Sequence, residues 1–142
     1  APLVQIIEES VRTVRARTEN INIKINRTQQ IDNTFRADNL YQVFSNLIKN
    51  AIDAMNGEGE LEITIYRKND EVAVEFKDSG PGLDEKSAEL IFEPFFTTKE
   101  HGKGTGLGLA ICKDIIEKLE GRITAENNKD KGCKFTVFLK NR

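Results

Sequence analysis

The sequence predicts an α/β sandwich whose strands are partly grouped in hairpins. Three observations lead there. At 142 residues the chain has the length of one ordinary domain with a single hydrophobic core. Its apolar residues recur at helical spacing in some stretches and alternate with period two in others. The alternating stretches come partly in neighbouring pairs, unlike the strict strand–helix–strand succession of a doubly wound sheet.

In chain order, Leu3, Ile6, Ile7, Val11 and Val14 mark a first helix, and Ile21, Ile23 and Ile25 one face of a strand. Residues Ile31 to Ala37 read as a second strand. Asp38 or Asn39 then caps a long helix that runs to Met55 and stops at Asn56-Gly57. Gly59 to Tyr66 and Glu71 to Asp78 place Leu61, Ile63, Ile65 and Val72, Val74, Phe76 on common faces, so the pair reads as a hairpin turned through Arg67 to Asp70. From Ser79 to Gly108 the periodicity weakens and six of the ten glycines gather, with a short helical stretch near Glu85 to Phe92. A loop of this length inside a compact domain is uncommon without a task. A last helix, from about Leu107 to Leu119, ends at Gly121, and the strands Arg122 to Glu126 and Cys133 to Lys140 follow.

Composition excludes several classes of function. With 21 basic against 23 acidic residues the formal charge is −2, so no overall field draws in nucleic acid or anionic lipid. Two cysteines, Cys112 and Cys133, make neither a disulfide framework nor a four-cysteine zinc site, and a single histidine, His101, leaves little for a metal centre. No apolar run approaches the length of about 18 residues that a membrane helix needs. The chain starts at Ala1 without methionine, which suggests a piece of something longer.

The long middle helix is chemically uneven. Leu40, Val43, Phe44, Leu47, Ile48, Ala51, Ile52, Ala54 and Met55 share one half of its circumference, and Gln42, Asn46, Lys49, Asn50 and Asp53 the other. A solvated face is the ordinary reading of such a helix. Asparagine, however, competes with the helix backbone for hydrogen bonds and serves a wet surface worse than Glu, Lys or Gln. Asn46 and Asn50 stand one turn apart with Asp53 three further on, a stripe of oxygen acceptors suited to a Mg²⁺ ion that keeps several waters and is shared with phosphates.

Two glycine segments follow. Asp78-Ser79-Gly80-Pro81-Gly82 comes directly after a strand and is composed of ordinary turn formers. Gly102-Lys103-Gly104-Thr105-Gly106-Leu107-Gly108-Leu109 alternates glycine and runs straight into a helix, as no flexible linker would. Glycines let backbone N–H groups approach an anion, and the helix start adds unpaired donors and a positive dipole end, so this is a phosphate site. It is neither a P-loop nor a dinucleotide fingerprint. Lys99, His101 and Lys103 add positive charge where a triphosphate tail would lie.

Taken together, Asn46-Leu-Ile-Lys-Asn50-Ala-Ile-Asp53-Ala, Asp78-Ser-Gly80-Pro-Gly82, Phe92-Glu-Pro-Phe-Phe-Thr-Thr-Lys99 and Gly104-Thr105-Gly106-Leu107-Gly108-Leu resemble, in order and spacing, the N box, first glycine box, F box and second glycine box of two-component sensor histidine kinases. The resemblance implies the GHKL-type, or Bergerat-type, ATP-binding fold: a two-layer sandwich with a mixed sheet of about five strands, covered on one face by three helices, and an ATP lid over about residues 83–106. It makes residues 1–142 one catalytic and ATP-binding domain, with the dimerisation and phosphoacceptor domain absent. By the same resemblance Asn50 is the Mg²⁺ ligand, Asn46 and Lys49 lie at the phosphates, and Asp53 lies on the nucleotide side. Asp78 accepts from the adenine amine, with Gly80 and Gly82 close to the base and Thr136 near it. Lys99, Gly104, Thr105, Gly106, Leu107 and Gly108 hold the phosphate tail, and Phe92, Phe95 and Phe96 anchor the lid.

The implied activity is transfer of the γ-phosphoryl group of Mg-ATP to a histidine of the separate dimerisation domain, with a response regulator downstream and no nucleic acid as partner. A monomeric chain, a homodimeric parent kinase and a cytoplasmic domain go with it, whether or not the parent is membrane-anchored. The alternatives are a hydrolysing GHKL ATPase of the gyrase, mismatch-repair or heat-shock type, a serine kinase of the anti-sigma type, and a nucleotide-free pseudokinase. Where hydrolysing relatives carry a general-base glutamate, this chain has neutral Asn46, which takes no proton near pH 7.

Overall fold

The computed structural model describes residues 2–14, 20–27, 31, 35–83, 90–94, 108–127 and 131–140. Three helices, α1 (Leu3–Val14), α2 (Ala37–Ala54) and α3 (Gly108–Lys118), accompany one sheet. Its strands are β1 (Asn20–Arg27), β2 (Glu58–Lys68), β3 (Glu71–Asp78), β4 (Arg122–Asn127) and β5 (Cys133–Lys140), in spatial order β1-β2-β3-β5-β4. β1 and β2 are parallel, joined across α2, and every other pairing is antiparallel, so the sheet is mixed as expected.

Strand alternation decides what each face does. Register places Ile63 opposite Phe76 and Phe76 opposite Phe135, with Val74, Val137 and Ile123 in the neighbouring row, all buried under the helices. α2 packs against α1, α3 and β3, and its Phe44 ring meets Phe76 with centroids 5.6 Å apart. Truncating either ring to Ala would cost about 3–5 kcal/mol. On the opposite face the guanidinium of Arg122 lies 3.7 Å from the centre of the Phe138 ring. Among the described residues no helix is long and apolar enough to cross a membrane.

Four local expectations need correction. Ile31 and Phe35–Arg36 belong to no strand, and residues 32–34 lie outside those described. Ile31 is buried in the core and Phe35 packs against it, so their apolar character reports burial without a ladder. α2 opens from Arg36, which makes no side-chain cap, while Asp38 falls in the first turn, where a carboxylate offsets the helix dipole. The β2–β3 turn is only Asn69-Asp70, with Asn69 at φ 56°. At the end of α3 the left-handed residue is Glu120 (φ 63°), while the Gly121 N–H donates to the Ile116 carbonyl at 2.9 Å. Gly121 is needed for a different reason: a Cβ there would run into the Phe138 carbonyl oxygen of β5.

Candidate functional site

Along α2 the polar stripe is only partly wet. Asn46 and Asn50 are half-buried, Lys49 and Asp53 exposed. The Asn46 amide Nδ2 donates to Cys112 Sγ of α3 at 3.7 Å, and Cys112 Sγ in turn donates to the Val43 carbonyl at 3.8 Å. Burial pushes the Cys112 thiol up to about 11, so it stays protonated and serves as a hydrogen-bonding spacer between the helices. With its nitrogen committed there, Asn46 offers a ligand its carbonyl oxygen. The Asn50 side chain has no hydrogen-bond partner among the described residues.

The other half of the site is the end of β3. Asp78 is only 5% exposed and faces the helix layer, in the row of Leu61. Its Oδ1 accepts from the backbone N–H of Gly80 at 2.9 Å and of Cys133 at 3.1 Å. Desolvation raises its pKa, and the two backbone donors hold it back. Burying a carboxylate is costly even when it is hydrogen-bonded, so stability alone is a weak reason for keeping one here.

Gly80 joins the two halves. A Cβ on it would lie 3.2 Å from both the Ala54 carbonyl oxygen and Asp78 Oδ1, so the last turn of α2 rests on the loop after β3. The polar stripe therefore runs from α3, at Asn46, to the Asp78 loop, at Ala54, a length of about 12 Å at the helical rise. Gly82 takes φ +90° beside Asn127, so its demand for glycine comes from the protein itself. Gly108 opens α3, where a Cβ would meet nothing within 4 Å and no acidic residue occupies the first turn. Phe92 stands edge-on to Phe135 with centroids 6.2 Å apart.

Thr136 does not join this group. It pairs with Glu75 and Thr124, between core residues Phe135 and Val137, so alternation turns it to the sheet face opposite Asp78 and three register steps away. The residue beside Asp78 is Cys133, whose contribution is a backbone N–H that no side-chain pattern announces. Lys99, Gly104, Thr105, Gly106 and Leu107, with Phe95, Phe96 and His101, lie outside the described residues.

The donor set fits a nucleotide with magnesium. Among the described residues no three His, Cys, Asp or Glu converge as a metal cage. A carboxamide oxygen at Asn50 with Asp53 one turn on is the kind of sparse oxygen set that suits Mg²⁺ held jointly with substrate phosphates.

Residues 35–142 match the family described as histidine kinase-, DNA gyrase B- and HSP90-like ATPases. The chain belongs to this family. All of α2, β2–β5 and α3 fall within the matched residues, while α1 and β1 precede them. Within the family, the chain is 34% identical to the catalytic domain of histidine kinase ThkA, with a TM-score of 0.85, over 99% of this chain and 93% of that one. It is therefore a histidine kinase catalytic domain. Histidine kinase ThkA in complex with the response regulator TrrA aligns with a TM-score of 0.80 at 32% identity, over 100% of this chain and 41% of that one. Sporulation kinase A of Bacillus subtilis is 41% identical over 124 residues, which are 87% of this chain and 19% of that protein. The histidine kinase domain thus spans about a fifth of the length of such a curated relative.

Proposed function

We propose that this domain binds Mg-ATP and transfers its γ-phosphoryl group to a histidine on a separate dimerisation domain, in two-component signal transduction. The observation that carries the proposal is the buried Asp78 carboxylate, fixed by two backbone donors and joined through Gly80 to the asparagine stripe of α2. In this reading Asp78 accepts from the exocyclic amine of adenine, which selects ATP over GTP. The tail runs along α2 towards Asn50, Lys49 and Asn46, and the backbone N–H groups at the start of α3, Gly108 first, face the phosphates.

Magnesium, held by Asn50 beside Asp53, would supply charge neutralisation at the phosphate oxygens. The rest is positioning, which dominates catalysis of phosphoryl transfer. Asn46, anchored on Cys112, presents a neutral oxygen and removes no proton from water. The nucleophile is then the incoming histidine nitrogen. Its lone pair forms the N–P bond in line as the bond to the β-phosphate oxygen breaks, and ADP leaves.

The likeness to ThkA in its complex with TrrA supports a response regulator as the downstream partner. Location in the cytoplasm, where ATP and such partners are found, is part of the same proposal. The test is transfer of labelled γ-phosphate to a supplied dimerisation domain. Acid-labile phosphohistidine is expected, with little phosphate release when the acceptor is omitted. Rapid release without acceptor would favour a hydrolase, and a folded domain with no nucleotide affinity would favour a pseudokinase.

A further inference from the structure

We propose that Asn127 is a positioning residue for nucleotide binding: together with Cys133, its partner across the β4–β5 ladder, it grips both ends of the loop 78–83 and so fixes where the Asp78 carboxylate stands. The proposal rests on the reading of Asp78 as the acceptor for the base.

Asn127 Oδ1 accepts from the Leu83 N–H at 2.6 Å, and its Nδ2 donates to the Leu83 carbonyl at 2.7 Å. One side-chain amide thus pairs with both polar groups of a residue 44 positions away, as a neighbouring strand would. Only a carboxamide presents a donor and an acceptor in that fork. Aspartate lacks the donor, and serine carries its donor and acceptor on one atom at the end of a shorter side chain, not on two prongs. Gly82, at φ +90°, allows the close approach, because a Cβ would come 2.8 Å from Asn127 Oδ1.

At the other end of the loop, Cys133 lies directly opposite Asn127 in the register and sends its N–H to Asp78 Oδ1. Gly132, before it, presses so closely on Asp78 that a Cβ would overlap the Asp78 carbonyl oxygen. Between the two grips, Ser79 Oγ accepts from the Glu60 N–H at 3.0 Å and donates to Met55 Sδ at 3.4 Å. The loop that bears Asp78 and Gly80 is therefore strung across the end of β4–β5, and removing the Asn127 fork frees one end of it.

The experiment is calorimetric titration with ADP and GDP of the unaltered protein, Asn127→Ala, Asn127→Ser, Asp78→Asn and the double variant Asp78→Asn/Asn127→Ala. Loss of two hydrogen bonds predicts that Asn127→Ala weakens ADP about tenfold and lowers the ADP/GDP preference, with Asn127→Ser intermediate. In the Asp78→Asn background, Asn127→Ala should have no further effect on ADP, the non-additivity of residues that act as one unit. The Leu83 amide should also exchange faster in the unliganded variant. An unchanged ADP/GDP ratio in Asn127→Ala, or an equal loss in both backgrounds, overturns the proposal. Should Asn127→Ala not fold, Asn127→Ser carries the same comparison. If Asp78→Asn alone leaves the ratio unchanged, the base-acceptor reading itself falls, whatever Asn127 does.

Discussion

The side-chain amide of Asn46 and the thiol of Cys112 meet at 3.7 Å, which ties the helix bearing the asparagine stripe to the helix that follows the alternating glycines. Neither group is charged: burial holds the Cys112 thiol at about 11. This contact links the two helices at the end of the site where the proposed function puts the phosphates.

Cys112→Ala should therefore have two effects. Removing a fully buried sulfur leaves a small cavity and lowers stability by about 1–2 kcal/mol. Releasing Asn46 should in addition slow phosphoryl transfer more than it weakens ADP binding. Chemical denaturation and single-turnover transfer measure the two separately. In the folded protein Cys112 should also resist alkylation at neutral pH, because the reactive species is the thiolate.

Asn50→Ala tests the opposite case, a residue with no protein partner to lose among those described. Its stability should change by less than about 0.5 kcal/mol. Mg²⁺-dependent transfer should be lost, while binding of ADP without Mg²⁺ should persist. Near-normal transfer by a folded Asn50→Ala protein would remove Asn50 from the metal site.

Glycine substitutions separate ligand contacts from packing. Gly108→Ala places its Cβ in open space at a helix start, so stability should hold or rise slightly. Any loss of ATP affinity then reports the phosphates. Gly132→Ala, by contrast, drives a Cβ onto the Asp78 backbone and should destabilise by about 1–3 kcal/mol or more. Thermal unfolding beside titration distinguishes them.

Asp78 gives the site a pH dependence. Its pKa is raised by burial above the ordinary 3.8, so between the two values the folded state binds more protons than the unfolded state. Stability therefore falls as pH rises through that window and is regained as pH drops. Affinity for ATP should move the other way, declining as the carboxylate is protonated at a pH above 3.8. Titrations across acidic pH should show this difference between the protein and Asp78→Asn, in which the 78 side chain no longer titrates.

What the sequence made legible follows from the range of the forces involved. β3 and β5 are legible to their end residues because the period-two rows Val72, Val74, Phe76 and Cys133, Phe135, Val137, Leu139 all belong to the buried core. The same period-two signal misled at Ile31 and Phe35, where side chains reach the core without a ladder. Gly121 attracted the helix stop because glycine is the usual left-handed residue, yet Glu120 adopts that conformation and Gly121 yields to β5. In the candidate site, Asn46 and Asn50 stand out as unusual choices for a helix face, whereas Asp78 sits among ordinary turn formers and its role comes only with the resemblance. Thr136 failed because matching a position without counting the pleat put it on the wrong face. The Asn127 fork was invisible, since it joins residues 44 apart through backbone atoms that every residue possesses.

The most direct measurement is a calorimetric titration of the domain with ATP and GTP in the presence of Mg²⁺, repeated with Asp78→Asn. Saturable binding of ATP, with GTP weaker by about tenfold or more and the difference erased in Asp78→Asn, is what a buried carboxylate facing the base predicts. A folded domain that binds neither nucleotide, or binds both alike, would contradict the account.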